Sequence, residues 1–550
     1  RRQEELLDAA RDGDEAAVEA REAIMDELEA VEGELADARD QNVCERYYEN
    51  LKAGSDEFGA WLYDDVRTPD DVYEYAEENG LCGYELLKES MEGVDLAVCN
   101  YHHLLDPGIR AQFFRWLGRD PEDVVVVFDE AHNVEDAARE HASTSLTENT
   151  LEASLAELAG EAEADARAGY AENVLRAFRD ALAETYEAGI GPRGDGPDSF
   201  EAVGENWADV PVANDDKRDD LTLAFLGAYE GRGISKDLDA ALSLGEELEE
   251  AYEDAYRNGE AATREECQTL RAAEFVDAYL TEGDALGQYP TAAVRRDAGT
   301  DEVYGRAELY TCIPRDVTTD LFEAVHASVL MSATLRPFDV TAEILGLADP
   351  ETMAYGLEFP EERRRTYAVD TEPLFASNRG DAATQTEVAG VLADAATFTP
   401  GNCLFFFPSY GEAERYHGLL EHRVDGTCYL DEPGEPAEDL RTAFVADDSG
   451  VLFTSLWGTL AEGVSFDGDD ARTVAVVGVP YPRLDRRAEA VQDAYDEAFD
   501  DDDAGWTYAV EIPTVRKTRQ ALGRVIRSPE DYGVRLLIDR RYTSESRTRM

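Results

Sequence analysis

Val124-Val125-Val126-Val127-Phe128-Asp129-Glu130-Ala131-His132-Asn133 is the stretch on which the reading of this chain turns. Five apolar residues in a row suit a strand buried on both faces of a parallel sheet. The strand ends by delivering two carboxylates and a histidine. In nucleotide hydrolysis one acid holds magnesium and a second orients the attacking water. Asp129 suits the Mg2+ role and Glu130 the second; His132 is placed to sense the γ-phosphate.

Further apolar runs extend the pattern on both sides. Leu96–Cys99 precedes it; Val329–Met331, Leu404–Phe407, Val451–Phe453, Val474–Val479 and Val534–Ile538 follow. Helical stretches separate most of them, which predicts α/β domains with parallel sheets. Residues 138–305 are acidic, with helical stripes such as Leu151/Leu155/Leu158 and Leu175/Phe178/Leu182/Tyr186, and read as an inserted helical domain. Residues 1–43 carry helical spacing at Ile24, Leu28, Val31 and Leu35.

A second chemical segment is Gln520-Ala521-Leu522-Gly523-Arg524-Val525-Ile526-Arg527. Gln520, Arg524 and Arg527 recur at helical spacing, and Gly523 permits close approach. Guanidinium groups on one face suit a triphosphate.

The 550 residues hold 50 Lys+Arg and 122 Asp+Glu, a formal net charge of −72. The lysines are only Lys52, Lys88, Lys217, Lys236 and Lys517. A carboxylate-rich, lysine-poor surface suits a salt-rich cytoplasm, where self-repulsion is screened, so a halophilic, cytoplasmic protein is expected. The same charge argues against binding nucleic acid through a basic surface. At high salt, however, base stacking on aromatics outlasts phosphate attraction. Tyr410, Trp457 and Tyr481 are candidate stacking residues, and arginines cluster at Arg363–Arg365, Arg483/Arg486/Arg487 and Arg540–Arg541. No apolar run approaches the roughly 18 residues of a membrane helix, and the cysteines do not read as a disulfide framework.

With both chemical segments in hand, the chain resembles the XPD-type DNA helicases of superfamily 2, whose relatives include the DinG helicases. Cys44-Glu-Arg-Tyr-Tyr-Glu and Cys82-Gly-Tyr-Glu-Leu-Leu-Lys look like two iron–sulfur cysteine contexts, with Gly83 where a proline is usual. Asn100 to Pro107 resembles the segment before the Asp-Glu-Ala-His (DEAH) box. Ser332-Ala333-Thr334-Leu335 looks like motif III, which couples hydrolysis to strand movement. Phe405 to Tyr410, with Ser409, looks like motif IV. Thr459 to Phe466, with Glu462, Gly463 and Ser465, looks like motif V, where Ser465 replaces a common Asp. The Gln520–Arg527 stretch looks like motif VI.

The resemblance implies two RecA-like parallel-sheet domains clamping ATP, an iron–sulfur insertion and a helical arch insertion. The expected boundaries are a partial iron–sulfur domain at 1–94 and RecA-like domain 1 at 95–138 and 305–338. The arch takes 139–304, and RecA-like domain 2 takes 339–550. It implies a monomeric ATP-dependent helicase moving 5′ to 3′ on single-stranded or forked DNA, in repair and with repair-protein partners. A 4Fe–4S cluster would take Cys44 and Cys82, and the DNA contacts would include Ser409, Tyr410, Arg364 and Trp457. No Gly-Lys-Ser/Thr occurs anywhere in the sequence. The phosphate loop and the first two cluster cysteines are therefore expected outside an N-terminally truncated fragment, inactive by itself. A DinG-like helicase of another pathway and a non-catalytic DNA clamp are the alternatives.

Overall fold

The computed structural model describes residues 44–543, apart from 54–55, 93, 193, 195, 213–218, 258–264, 284, 357–358, 376, 435, 463, 465, 467, 500–502 and 527. The helical spacing read in 1–43 lies outside the described residues. The chain divides into two compact units. The first holds the described residues up to Val126, Ala137–Thr311 and Asp320–Ala327. The second holds Val127–Asp136, Cys312–Thr319 and Ser328 onward.

Strand β1 (Val125–Phe128) lies where the chain passes between units. The Leu96–Cys99 run, expected as a strand, is instead irregular and exposed. An apolar tetrapeptide becomes a strand only beside a neighbour that completes its hydrogen-bond ladder.

In the first unit, four helices between Glu45 and Ser90 pack around Phe58, Val72, Leu81 and Leu86, with Trp61 stacked on Tyr75. Beyond Ala142 the chain forms β2 (Thr144–Thr147), β3 (Ala208–Pro211), β4 (Gln288–Arg296) and β5 (Val303–Thr311). They make an antiparallel sheet in the order β2-β5-β4-β3. The segment read as a helical insertion thus carries a sheet as well. Leu151, Leu158, Leu175, Phe178, Leu182 and Tyr186 bury against its inner face, on Val210, Val294, Ala307 and Leu309. Gly305 is required there, because a Cβ would lie 2.5 Å from the Tyr186 ring.

Strand β6 (Ala327–Leu330) pairs with β1. The second unit then adds β7 (Arg364–Val369), β8 (Cys403–Phe407), β9 (Cys428–Leu430), β10 (Val451–Ser455), β11 (Thr473–Val477) and β12 (Gly533–Ile538). They form one parallel six-stranded sheet in the order β7-β12-β11-β8-β10-β9. Successive side chains of a strand point to opposite faces, and here both faces are covered. Leu404, Phe406, Leu452, Val474 and Val476 pack with Ala521 and Leu522. Phe405, Phe407, Phe453, Ala475 and Val477 pack with Val388, Leu392 and Tyr416. Helices flanking a parallel sheet make this unit α/β. Ligands of such sheets bind beyond the carboxyl ends of the strands.

Candidate active site

The end of β1 is tied to the segment after β6. Met331 N–H donates to the Phe128 carbonyl at 2.9 Å, and Ala131 N–H to the Met331 carbonyl at 3.0 Å. This clasp sets Ser332 beside the acidic turn. Glu130 has φ 47° and ψ 45°, a left-handed conformation that costs a non-glycine residue roughly 1–2 kcal/mol. An Asp129 carboxylate oxygen accepts the Glu130 N–H at 2.9 Å and supports the turn.

Four side chains then form a relay inside the second unit. The Ser332 hydroxyl donates to the Glu130 carboxylate at 3.2 Å. His132 Nδ1 lies 2.9 Å from Ser332 Oγ and 3.3 Å from the same carboxylate. His132 Nε2 lies 2.6 Å from Gln520 Nε2. An amide nitrogen can only donate, so Nε2 of the ring accepts and Nδ1 carries the proton. The imidazole is buried, whereas the Glu130 side chain is exposed. Gln520 Oε1 is buried with no hydrogen-bond partner among the described residues. Thr334 closes the turn by donating its N–H to Ser332 Oγ at 3.1 Å, and Ala333 is exposed.

Arg516, one helical turn before Gln520 on helix Ile512–Gly523, reaches the same region. Its guanidinium donates to the Thr334 and Leu335 carbonyls at 3.0 and 3.1 Å and to Thr341 Oγ1 at 3.0 Å. Burial pushes its pKa below the usual arginine value, against the opposing pull of Glu135 and Asp136. Arg516 lies outside the Gln520–Arg527 stretch that the sequence marked. The i, i+4 relation to Gln520 is the signal that marks it.

Arg524 turns elsewhere and donates to the Ala461 and Val464 carbonyls, gripping the backbone of the motif V segment. Gly523 is exposed, and a Cβ there would meet no protein atom within 4 Å. Glu462 closes helix Thr459–Glu462; Gly463, Ser465 and Arg527 lie outside the described residues.

The DNA-contact candidates occupy two places. Ser409 caps helix Tyr410–Leu420 by accepting the Glu412 N–H. The Tyr410 hydroxyl packs on Gly458 and bonds the Thr459 backbone. Trp457 is 42% exposed, with the Lys517 ammonium 5.2 Å from its ring centre. These three follow the carboxyl ends of β8 and β10. Arg364 begins β7, at the amino end of the sheet's opposite edge.

Cys44 is exposed and Cys82 half-buried, both as free thiols. The Asn50 side chain clips the Cys82 backbone, accepting its N–H at 2.7 Å and donating to its carbonyl at 2.9 Å. A 4Fe–4S cluster takes four ligands. Among the described residues no group of three His, Cys, Asp or Glu is placed to hold a metal, so these two thiols do not by themselves fit a cluster. Magnesium is less demanding: it takes one or two carboxylates plus phosphate oxygens, which Asp129 fits.

Two family models match the chain at its two ends. DEAD_2 covers residues 16–151, and the helicase C-terminal domain covers 392–550. The XPD helicase subunit of general transcription and DNA repair factor IIH from Schizosaccharomyces pombe is 24% identical over 88% of this chain and 67% of its own length. The XPD/RAD3 subunit from Saccharomyces cerevisiae is 22% identical over 91% and 68%. Together these support an XPD/Rad3-family helicase. The Fanconi anemia group J protein homolog of Gallus gallus is 23% identical over 90% of this chain and 42% of its own length. The structure of Xpd4 from S. tokodaii aligns with TM-score 0.49 at 16% identity, over 88% of each chain. Among the described residues no helix is long and apolar enough to cross a membrane.

Proposed function

We propose that this chain is the greater part of an ATP-dependent DNA helicase that moves 5′ to 3′ on single-stranded DNA and acts in repair. The observation that carries this reading is the Glu130–Ser332–His132–Gln520 relay, which joins the DEAH turn, motif III and motif VI through hydrogen bonds. Asp129 holds Mg2+, which when bound neutralises phosphate charge. Glu130 orients the attacking water, and its carboxylate is steered by the Ser332 hydroxyl. His132 passes a change at Glu130 to Gln520, whose unpaired Oε1 waits on a donor such as that water. Arg527 is assigned to the phosphates by its motif VI position, Arg524 holds the motif V loop by the Ala461 and Val464 carbonyls, and Glu462, Gly463 and Ser465 are assigned to nucleotide binding by their motif V positions. Trp457 stacks a base of the strand, bordered by Ser409 and Tyr410. Cys44 and Cys82 would contribute to a 4Fe–4S cluster whose other two ligands lie outside these 550 residues.

No Gly-Lys-Ser/Thr is present in these 550 residues, so the phosphate loop has to come from elsewhere. The same fact favours one competitor, a non-catalytic clamp on DNA. The two readings separate in the full-length gene product. For the helicase, Glu130→Gln abolishes DNA-stimulated ATP hydrolysis, and Ser332→Ala, which removes only the steering hydroxyl, lowers hydrolysis less and uncouples it from unwinding. A clamp hydrolyses nothing in either form.

A further inference from the structure

Three arginine clusters stand out of this acidic chain, and the structure treats them differently. In the pair at the end of β12, Arg540 reaches Asp370 and Glu372 at 2.8 and 2.9 Å, and Arg541 reaches Asp539 at 2.7 Å. Arg486 pairs with Glu489 at 3.0 Å and Arg483 with Asp485 at 3.7 Å. The cluster at the start of β7 has no such neutralisation. Arg364 and Arg365 form no ion pair with any carboxylate among the described residues.

A third guanidinium joins them from 170 residues away. The parallel register sets Arg535 of β12 opposite Thr366 of β7. Arg364, Arg365 and Arg535, with Glu361, Thr366 and Tyr367, line an open hollow of about 430 Å3 on the sheet's edge. Arg535 Nη2 donates to the Arg364 carbonyl at 2.9 Å, and Arg364 Nε to the Phe359 carbonyl at 3.1 Å. Backbone carbonyls hold these forks in place without cancelling their charge. Arg535 Nε is buried with no acceptor among the described residues. Burial and then the charge of Arg364 push the Arg535 guanidinium below its usual pKa. In a chain with 122 carboxylates, a guanidinium trio with no ion pair among the described residues, beside a buried donor unmet by them, marks a place for an external anion.

We propose that this hollow is an anion site for the phosphate of a nucleotide unit, separate from the site at the carboxyl ends of β8 and β10. Planar guanidinium forks match phosphate oxygens two at a time. The Tyr367 ring, 47% exposed at the rim, offers a base a face to stack on. Glu361 accepts from an exocyclic amine, a donor that inorganic phosphate lacks. The nucleotide is either free or one unit of a single strand. The strand source rests on the helicase reading; the anion site does not.

The test uses the 550-residue chain at fixed ionic strength and titrates two probes. One is adenosine monophosphate, followed by its shift of the melting temperature. The other is a fluorescein-labelled cytosine-containing 12-mer, followed by anisotropy. The Arg364→Gln/Arg535→Gln double variant should lose at least tenfold affinity for one probe or both. Exposed Arg365→Gln should lose at least threefold, and it serves in place of the double variant should that fail to fold. Loss on the 12-mer alone, deepened by Tyr367→Ala, assigns the strand. Loss on the mononucleotide alone assigns a free ligand, even where the wild type binds no strand and the helicase reading fails. Strand binding that survives the Arg variants but falls with Trp457→Ala keeps the helicase reading, and with mononucleotide binding unchanged it overturns the hollow. A wild type that binds neither probe overturns it as well.

Discussion

Two strands read from unbroken apolar runs, Val-Val-Val-Phe in β1 and Cys-Leu-Phe-Phe-Phe in β8, meet different fates in this molecule. In β8 every residue is buried, and the same holds for its neighbours β10 and β11. In β1 burial alternates, with Val125 and Val127 more than half exposed beside buried Val126 and Phe128. A continuous apolar run therefore announces a strand but not how many of its faces are covered. Coverage depends on neighbours far away in sequence: β8 has a strand on each side and helices on both faces, whereas among the described residues β1 pairs only with β6. The residues proposed for chemistry follow the less covered pair, where Ala131, Met331 and Phe128 are joined by backbone hydrogen bonds.

The sharpest way to break this comparison is to cut a side chain from each strand. Phe406→Ala should lower the stability of the parallel-sheet unit by about 3–5 kcal/mol. Val127→Ala should stay within about 0.5 kcal/mol, as surface substitutions do. Denaturant unfolding followed by tryptophan fluorescence reads both, and equal losses would end the distinction. Arg516→Met probes the clasp from the helix side. It strips a buried cation from the Thr334 and Leu335 carbonyls and from its neighbours Glu135 and Asp136, and should cost about 3 kcal/mol in the same experiment. Trp457→Ala, at the solvent end of β10, should leave folding intact and weaken single-strand binding by roughly 1–3 kcal/mol in an anisotropy titration.

The smallest effect is expected at the sheet's short edge. Asp431, after β9, is buried and accepts from Thr454 Oγ1 at 2.6 Å; burial raises its carboxyl pKa above 3.8. In the window between 3.8 and the raised value the native state binds more protons than the unfolded one, so this group's contribution to stability falls as pH rises. Asp431→Asn should flatten that part of the stability–pH curve, and an unchanged slope would refute the shift.

The buried sheet was legible because Leu404–Phe407, Val451–Phe453 and Val474–Val479 are apolar on both alternations. The helices at Leu151 and Leu175–Tyr186 were legible from their stripes. The antiparallel strands escaped notice. In β5 the inward residues are Gly305, Ala307 and Leu309, small enough for Tyr186 to lie against them and too weak a signal between Arg306, Glu308 and Tyr310. β7, which begins with arginines, reads as a basic cluster until β12 supplies its ladder. In the site, Asp129, Glu130, Ser332 and Gln520 carried motif signatures. Arg516 did not, and neither did the pairing of Arg364 with Arg535, because strand register brings together residues that no local pattern links.

Glu130, steered by Ser332 and joined through His132 to Gln520, is proposed to serve DNA-driven ATP hydrolysis. The direct measurement is ATP turnover by the full-length gene product with and without single-stranded DNA, in wild type and Glu130→Gln, beside the 550-residue chain alone. The expected result is DNA-stimulated turnover in the wild type, a loss of at least 100-fold in Glu130→Gln with strand affinity unchanged, and none in the 550-residue chain. Turnover that survives Glu130→Gln would contradict it.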